Sequence, residues 1–130
     1  MPSILLIEDD NLFREAVAAA LTEHGYTVTQ AADGAQGVRL FRAAPTDLVI
    51  TDIVMPNKEG LETIEALHRE YPKLAIIAMS GGLAREAPLY LSIAGVLGAD
   101  RMLQKPFALP TLLTAIEEVL AAAGKDEPAS

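Results

Sequence analysis

The run Leu48-Val49-Ile50-Thr51-Asp52-Ile53-Val54-Met55-Pro56 narrows most what this chain can fold into. Three apolar residues and a threonine lead into one carboxylate, and a proline stands four positions on. A short, continuously apolar run closed by turn residues has the length and composition of a strand buried on both faces, as in a parallel sheet. Asp52 then stands at the carboxyl end of that strand. In open α/β sheets this is the edge where ligands bind, so the function rests on what else the chain delivers there.

Ile4-Leu5-Leu6-Ile7 is an earlier run of the same kind, and it ends in Glu8-Asp9-Asp10. Phe13, Ala16, Val17, Ala20 and Leu21 follow at helical spacing, with Asp10 or Asn11 to cap the start and Gly25 to end it. Tyr26-Thr27-Val28-Thr29-Gln30 alternates as an edge strand does. Asp33-Gly34-Ala35-Gln36 has the form of a capping box opening a second helix through Val38 and Phe41, which stops before Pro45. The opening run is the third strand. After a turn from Pro56 to Gly60, Leu61, Ile64 and Leu67 mark a third helix that ends near Tyr71-Pro72.

Leu74-Ala75-Ile76-Ile77-Ala78-Met79 is a fourth strand running into Ser80-Gly81-Gly82. A fourth helix is predicted from about Ala87 to Leu97, although Pro88 and Gly95 interrupt its pattern, and Gly98 stops it. Arg101-Met102-Leu103-Gln104 is a short, polar fifth strand followed by Lys105-Pro106. Leu109, Leu112, Leu113, Ile116 and Leu120 carry a last helix to Gly124. His24 and His68 fall late in helices with no partner pattern and read as surface or helix-end residues.

Five strand–helix alternations joined by short turns predict an α/β fold with a doubly wound, five-stranded parallel sheet. Uniformly apolar runs one, three and four belong in the centre and runs two and five at the edges, which gives the order 2-1-3-4-5, flavodoxin-like. The 130 residues suffice for one domain with a real core. Lys and Arg number 10 against 18 Asp and Glu, and the net charge of −8 opposes direct contact with nucleic acid or an anionic membrane. The absence of Cys excludes disulfides and thiolate ligands. No signal peptide or membrane-length apolar run is visible, so the expected location is cytoplasmic.

At the carboxyl edge this order collects Glu8 and Asp9 from strand one, Asp52 from strand three, Ser80 from strand four and Lys105 from strand five. Three carboxylates against one ammonium leave a formal −2. Crowded acids raise one another's pKa unless a cation neutralises them, and an oxygen-only donor set favours Mg²⁺. A metal, a lysine and a hydroxyl around one carboxylate suit phosphoryl chemistry. Asp52 is then the nucleophile that forms an acyl phosphate, Lys105 stabilises charge on the transferring oxygens, and Ser80 hydrogen-bonds one of them.

Over about residues 3 to 123 the chain resembles the receiver domain of two-component response regulators. The likeness is carried by Ile4-Leu5-Leu6-Ile7-Glu8-Asp9-Asp10, by Asp52-Ile53-Val54-Met55-Pro56 with Gly60, by Met79-Ser80-Gly81 and by Lys105-Pro106-Phe107. It implies a receiver domain over residues 1–124 with a polar tail at 125–130. It also implies a (βα)5 fold, Asp52 as phosphoacceptor and a phosphohistidine donor on a histidine kinase or histidine phosphotransfer protein. Asp9 and Asp52 would bind Mg²⁺ directly, Glu8 mainly through water, and the Val54 carbonyl would add a backbone ligand. The Lys105-Pro106 bond would be cis. Such a domain is a signalling phosphoacceptor that assists its own phosphoryl transfer and dephosphorylation, not an enzyme in its own right.

Three features depart from the family's usual pattern. The acidic pair is Glu-Asp and not the commoner Asp-Asp. Met102 stands where an aromatic switch residue is usual, so the expected switch pair is Ser80 and Met102, with the flexible Met filling space that Ser80 vacates. The segment from Ser80 to Lys105 is a few residues longer than usual. With six residues after Gly124, output is expected in trans, through a downstream protein target at the fourth helix, fifth strand and fifth helix. A homodimer through the last helix region is an open expectation. The alternatives are an unphosphorylated receiver-like adaptor and a metal-dependent nuclease or phosphohydrolase. Val54, two residues after Asp52 where such hydrolases carry a second Asp, counts against the latter.

Overall fold

A computed structural model describes residues 2–53, 59–81 and 87–124. Strands and helices alternate through this part of the chain: β1 (Ser3–Ile7), α1 (Asn11–Glu23), β2 (Thr27–Ala31), α2 (Gly34–Ala43), β3 (Leu48–Asp52), α3 (Glu59–Glu70), β4 (Ala75–Ser80), α4 (Ala87–Leu97), β5 (Arg101–Gln104) and α5 (Leu109–Ala123). All strand pairings are parallel and the order is β2-β1-β3-β4-β5, as the apolar content of the runs predicts.

Alternate residues of each central strand serve two cores, because successive side chains of a strand point to opposite faces. Ile4, Leu6, Leu48, Ile50, Ile77 and Met79 pack with Leu21 of α1 and Leu112, Ile116 and Leu120 of α5. Leu5, Ile7, Val49, Ile76 and Ala78 pack with Phe41 of α2, Ile64 and Leu67 of α3 and Ala94 of α4. Each fully buried Leu or Ile contributes about 1.5–3 kcal/mol relative to exposure.

The helix ends follow the cap residues. The Phe13 amide donates to Asp10 Oδ1 at 3.1 Å and opens α1, which closes at His24 before Gly25 turns with φ 94°. At α2 the Gln36 amide donates to Asp33 Oδ1 at 2.7 Å. The return bond of this capping box goes one residue further back than the usual form: Gln36 Oε1 accepts from the Ala32 amide at 2.7 Å. Pro88 is tolerated because it occupies the first turn of α4, where its missing N–H has no helical acceptor to lose.

Several boundaries differ from the sequence expectation. β2 starts at Thr27 and includes Ala31, because Ala31 is buried against the α2 side of the sheet while Thr29 and Gln30 face out. β4 starts at Ala75 and takes in Ser80, which is fully buried within the strand. His68 stands at the end of α3, as expected, but is half-buried there, and its Nδ1 is buried with no hydrogen-bond partner among the described residues. Val54, Met55, Pro56 and Gly82, with the turn after Asp52 and the 125–130 tail, lie outside the described residues.

Candidate functional site

Backbone hydrogen bonds carry the parallel ladders just past the strand ends, and this sets each functional side chain. The Glu8 amide donates to the Ala31 carbonyl at 3.0 Å, that of Ile53 to Met79 at 2.8 Å and that of Lys105 to Ser80 at 2.8 Å. Glu8, Asp52, Ser80 and Lys105 are thereby aligned along one edge of the sheet. The Lys105-Pro106 bond is cis, as the resemblance implied.

Gly60 brings the start of α3 against this edge. A Cβ there would stand 2.4 Å from the Asp52 carbonyl oxygen and 2.4 Å from Ile53 Cα, so only glycine allows the approach.

Glu8, Asp9 and Asp52 each offer a carboxylate oxygen, and these atoms lie within 4.8 Å of one another. Among the described residues they form one trio within reach of a single metal ion. Glu8 is 1% exposed and Asp52 4%, while Asp9 sits on the open side. Lys105 Nζ contacts Glu8 Oε1 and lies 3.6 Å from Asp52 Oδ2. Buried carboxylates are costly without compensating charge, and one ammonium does not balance three acids. Partial burial holds the Asp9 carboxyl above its ordinary range, reinforced by the hydrogen bond and charge of Glu8, with Lys105 pulling it down. An oxygen-only trio with surplus negative charge fits a hard divalent cation.

Ser80 Oγ is fully buried and has no hydrogen-bond partner among the described residues. Since Asp52 pairs with Met79 in the β3–β4 register, Ser80 lies one position further toward the edge. Met102 pairs with Ala78 and is 41% exposed. A Cβ on Gly95 would meet Met102 Cε at 3.1 Å, so the Met102 side chain lies over α4 at the one helix position that lacks a side chain.

Two neighbours of the site were not legible as such. Phe13 reads in sequence only as a core residue of α1, yet Lys105 Nζ lies 4.2 Å from its ring centroid. Arg14 Nη1 donates to the Glu8 carbonyl at 2.8 Å and its Nε to Gln30 Oε1 at 3.1 Å, bracing the end of β1 against β2. The signal available was their spacing: Phe13 and Arg14 follow Asp9 by one helical turn.

A groove of about 490 Å³ lies at the opposite, amino-terminal edge of the sheet, where the Arg101–Glu118 ion pair at 3.2 Å forms part of its lining with Lys73 and Asp100. It is remote from the acidic trio.

A doubly wound parallel sheet with acids from β1 and β3, a hydroxyl from β4 and a lysine after β5 along its carboxyl edge defines the receiver class of α/β signalling domains. The chain belongs to the response regulator receiver domain family, whose model matches residues 4–117. It is 35% identical over 120 residues to the transcriptional regulatory protein AfsQ1 of Streptomyces coelicolor, covering 92% of this chain and 52% of that one. It is 34% identical over 125 residues to the response regulator MprA of a Mycobacterium species, covering 95% of this chain and 53% of that one. The chain therefore spans about half the length of these relatives.

Among solved structures, a CheY-like receiver domain protein of Methanospirillum hungatei superposes with TM-score 0.87 at 28% identity, covering 98% of this chain and 99% of that one. The response regulator TrrA of Thermotoga maritima, solved in complex with Mg²⁺-BeF, superposes with TM-score 0.81 at 28% identity, covering 92% and 100%. Among the described residues no helix is long and apolar enough to cross a membrane.

Proposed function

We propose that this receiver accepts a phosphoryl group at Asp52 from a phosphohistidine on a histidine kinase or phosphotransfer protein, in a Mg²⁺-dependent reaction. The observation that carries this is the convergence of three carboxylates within 4.8 Å, two of them buried, with Lys105 Nζ 3.6 Å from Asp52 Oδ2. Glu8, Asp9 and Asp52 would hold the ion, with the Val54 carbonyl as a further ligand. The Mg²⁺-BeF complex of the Thermotoga relative supports the choice of metal. Bound there, the ion supplies charge neutralisation for the phosphoryl oxygens and for the acids themselves.

The residues then divide the work. An Asp52 carboxylate oxygen attacks phosphorus, the P–N bond to the donor imidazole breaks with its electron pair leaving on nitrogen, and an acyl phosphate forms. The Lys105 ammonium exchanges its contact with Asp52 for one with a phosphoryl oxygen, where it opposes the growing charge. The buried Ser80 hydroxyl, otherwise without a partner among the described residues, donates to a second phosphoryl oxygen. The added negative charge draws Ser80 and Lys105 toward Asp52 and biases a two-state equilibrium of the domain. Met102, lying over α4, is the residue we assign to transmit that shift as Ser80 moves.

The signal is then read by a protein target in trans at the face of α4, β5 and α5. The acidic balance of 18 Asp and Glu against 10 Lys and Arg supports protein contact over direct contact with DNA. A cytoplasmic location goes with a donor of this kind. The test is intact mass after incubation with acetyl phosphate and Mg²⁺. The wild type gains about 80 Da, one phosphoryl group, and Asp52→Asn does not. No gain with this donor or with a phosphorylated histidine kinase domain would return the protein to the adaptor alternative.

A further inference from the structure

The ammonium of Lys105 is held on more than its carboxylate side. Its Nζ lies 4.2 Å from the centroid of the Phe13 ring, within the range in which the negative face of an aromatic ring attracts a cation. The Phe13 ring is itself fixed. Its backbone amide donates to Asp10 Oδ1 in the first turn of α1. Phe107, two residues beyond Lys105, packs edge-on against it with centroids 6.2 Å apart and planes at 83°. Both rings pack on the core beneath α1 and α5. The residues that fix the Phe13 ring thus flank functional groups in sequence: Asp10 follows the acidic pair and Phe107 follows Lys105.

We propose that Phe13 is a positioning residue for Lys105, its ring face forming the wall of the ammonium socket opposite Glu8 and Asp52. A lysine side chain has a flexible four-carbon stem and a compact charge with no preferred direction. Two carboxylates on one side set where the charge is drawn, and they do not limit its excursions along the sheet edge. The Phe13 ring does so without offering a competing acceptor. It leaves the ammonium free to exchange its contact with the Asp52 carboxylate for one with a phosphoryl oxygen on Asp52. An aliphatic residue of similar volume would fill the same space and lose the attraction.

This inference deepens the phosphoacceptor reading and rests on it for its kinetic consequence, so its test also uses an observable independent of phosphorylation. Phe13→Leu keeps apolar bulk and removes the ring, Phe13→Met is a second aliphatic variant should the first not fold, and Phe13→Tyr keeps the ring. In wild type the Lys105 ε-methylene protons, assigned by their loss in Lys105→Met, carry an upfield ring-current shift. That shift persists in Phe13→Tyr and disappears in both aliphatic variants.

The rate of acyl phosphate formation from acetyl phosphate falls roughly 2- to 10-fold in Phe13→Leu, the range expected of one partly desolvated cation–π contact. It recovers in Phe13→Tyr, and Phe13→Leu has no further effect in a Lys105→Met background. An unshifted ε-methylene in wild type, or an equal rate loss with and without Lys105, overturns the proposal and leaves Phe13 a packing residue. If no wild-type acyl phosphate forms, the phosphoacceptor reading fails and the ring-current shift alone decides the placement of Phe13.

Discussion

Lys105 Nζ lies 3.6 Å from Asp52 Oδ2 while contacting Glu8 Oε1, so one ammonium serves two buried carboxylates drawn from different strands. The two partners of this arrangement are not equivalent. Lys105→Met leaves both acids buried without a cation and lowers stability in EDTA by up to about 3–5 kcal/mol. Asp52→Asn removes one of the mutually repelling charges and is expected to be neutral or stabilising in the same buffer. Urea unfolding of the two variants beside wild type checks the asymmetry. Equal destabilisation by both would contradict it.

Metal should stabilise the fold through the same acids. A ligand bound to the native state at about 100 times its Kd adds about 2.7 kcal/mol. Melting in Mg²⁺ against EDTA should therefore show a rise of several degrees for wild type and a much smaller rise for Asp52→Asn and Asp9→Asn. A rise that is unchanged in both variants would place the ion elsewhere.

Gly60 is expected to be intolerant of even one methyl group. Its Cβ would meet backbone atoms of Asp52 and Ile53 at 2.4 Å, and backbone cannot swing aside as a flexible side chain can. Gly60→Ala should cost about 1–3 kcal/mol in urea unfolding. It should also slow acyl phosphate formation, because relief of the clash moves the strand end that carries Asp52.

The ion pair between Arg42 and Glu70 ties α2 to α3 at the far end of the molecule, through contacts of 3.2 and 2.5 Å. Hydrogen bonding to the Arg42 guanidinium holds the Glu70 carboxyl below its usual 4.5. A depressed carboxyl contributes stability above its unfolded-state pKa and loses it as pH falls through the folded-state value. The difference in melting temperature between wild type and Arg42→Gln should thus be small at neutral pH and shrink as the pH falls below the usual 4.5 and through the lowered value, and salt should reduce it further. A gap that widens on acidification would assign the effect to something other than this pair.

The sheet order was legible because Ile4–Ile7, Leu48–Ile50 and Ala75–Met79 are apolar without interruption, and only strands covered on both faces need that. The gathering of Glu8, Asp9, Asp52 and Lys105 at one sheet edge was legible because each stands at or just past the carboxyl end of a strand. What pattern missed was set by tertiary contact. Ser80 lies inside β4 because it pairs with Gln104 of β5 and its carbonyl accepts from the Lys105 amide, although its Gly81 neighbour suggests a turn. Gly95 interrupts a helical pattern because Met102 packs over it, and His68 is half-buried because Gly98 approaches its ring. Phe13 was indistinguishable from any apolar helix residue, since its second partner, Lys105, arrives from the other end of the chain.

In the proposed reaction Asp52 itself carries the phosphoryl group. Borohydride trapping after incubation with acetyl phosphate and Mg²⁺, followed by peptide mapping, locates that group. Reduction converts an acyl phosphate on aspartate to homoserine, and the predicted result is homoserine at position 52 and at no other acid. Homoserine at Asp9 or another carboxylate with Asp52 intact, or none anywhere in protein that binds Mg²⁺, would contradict the account.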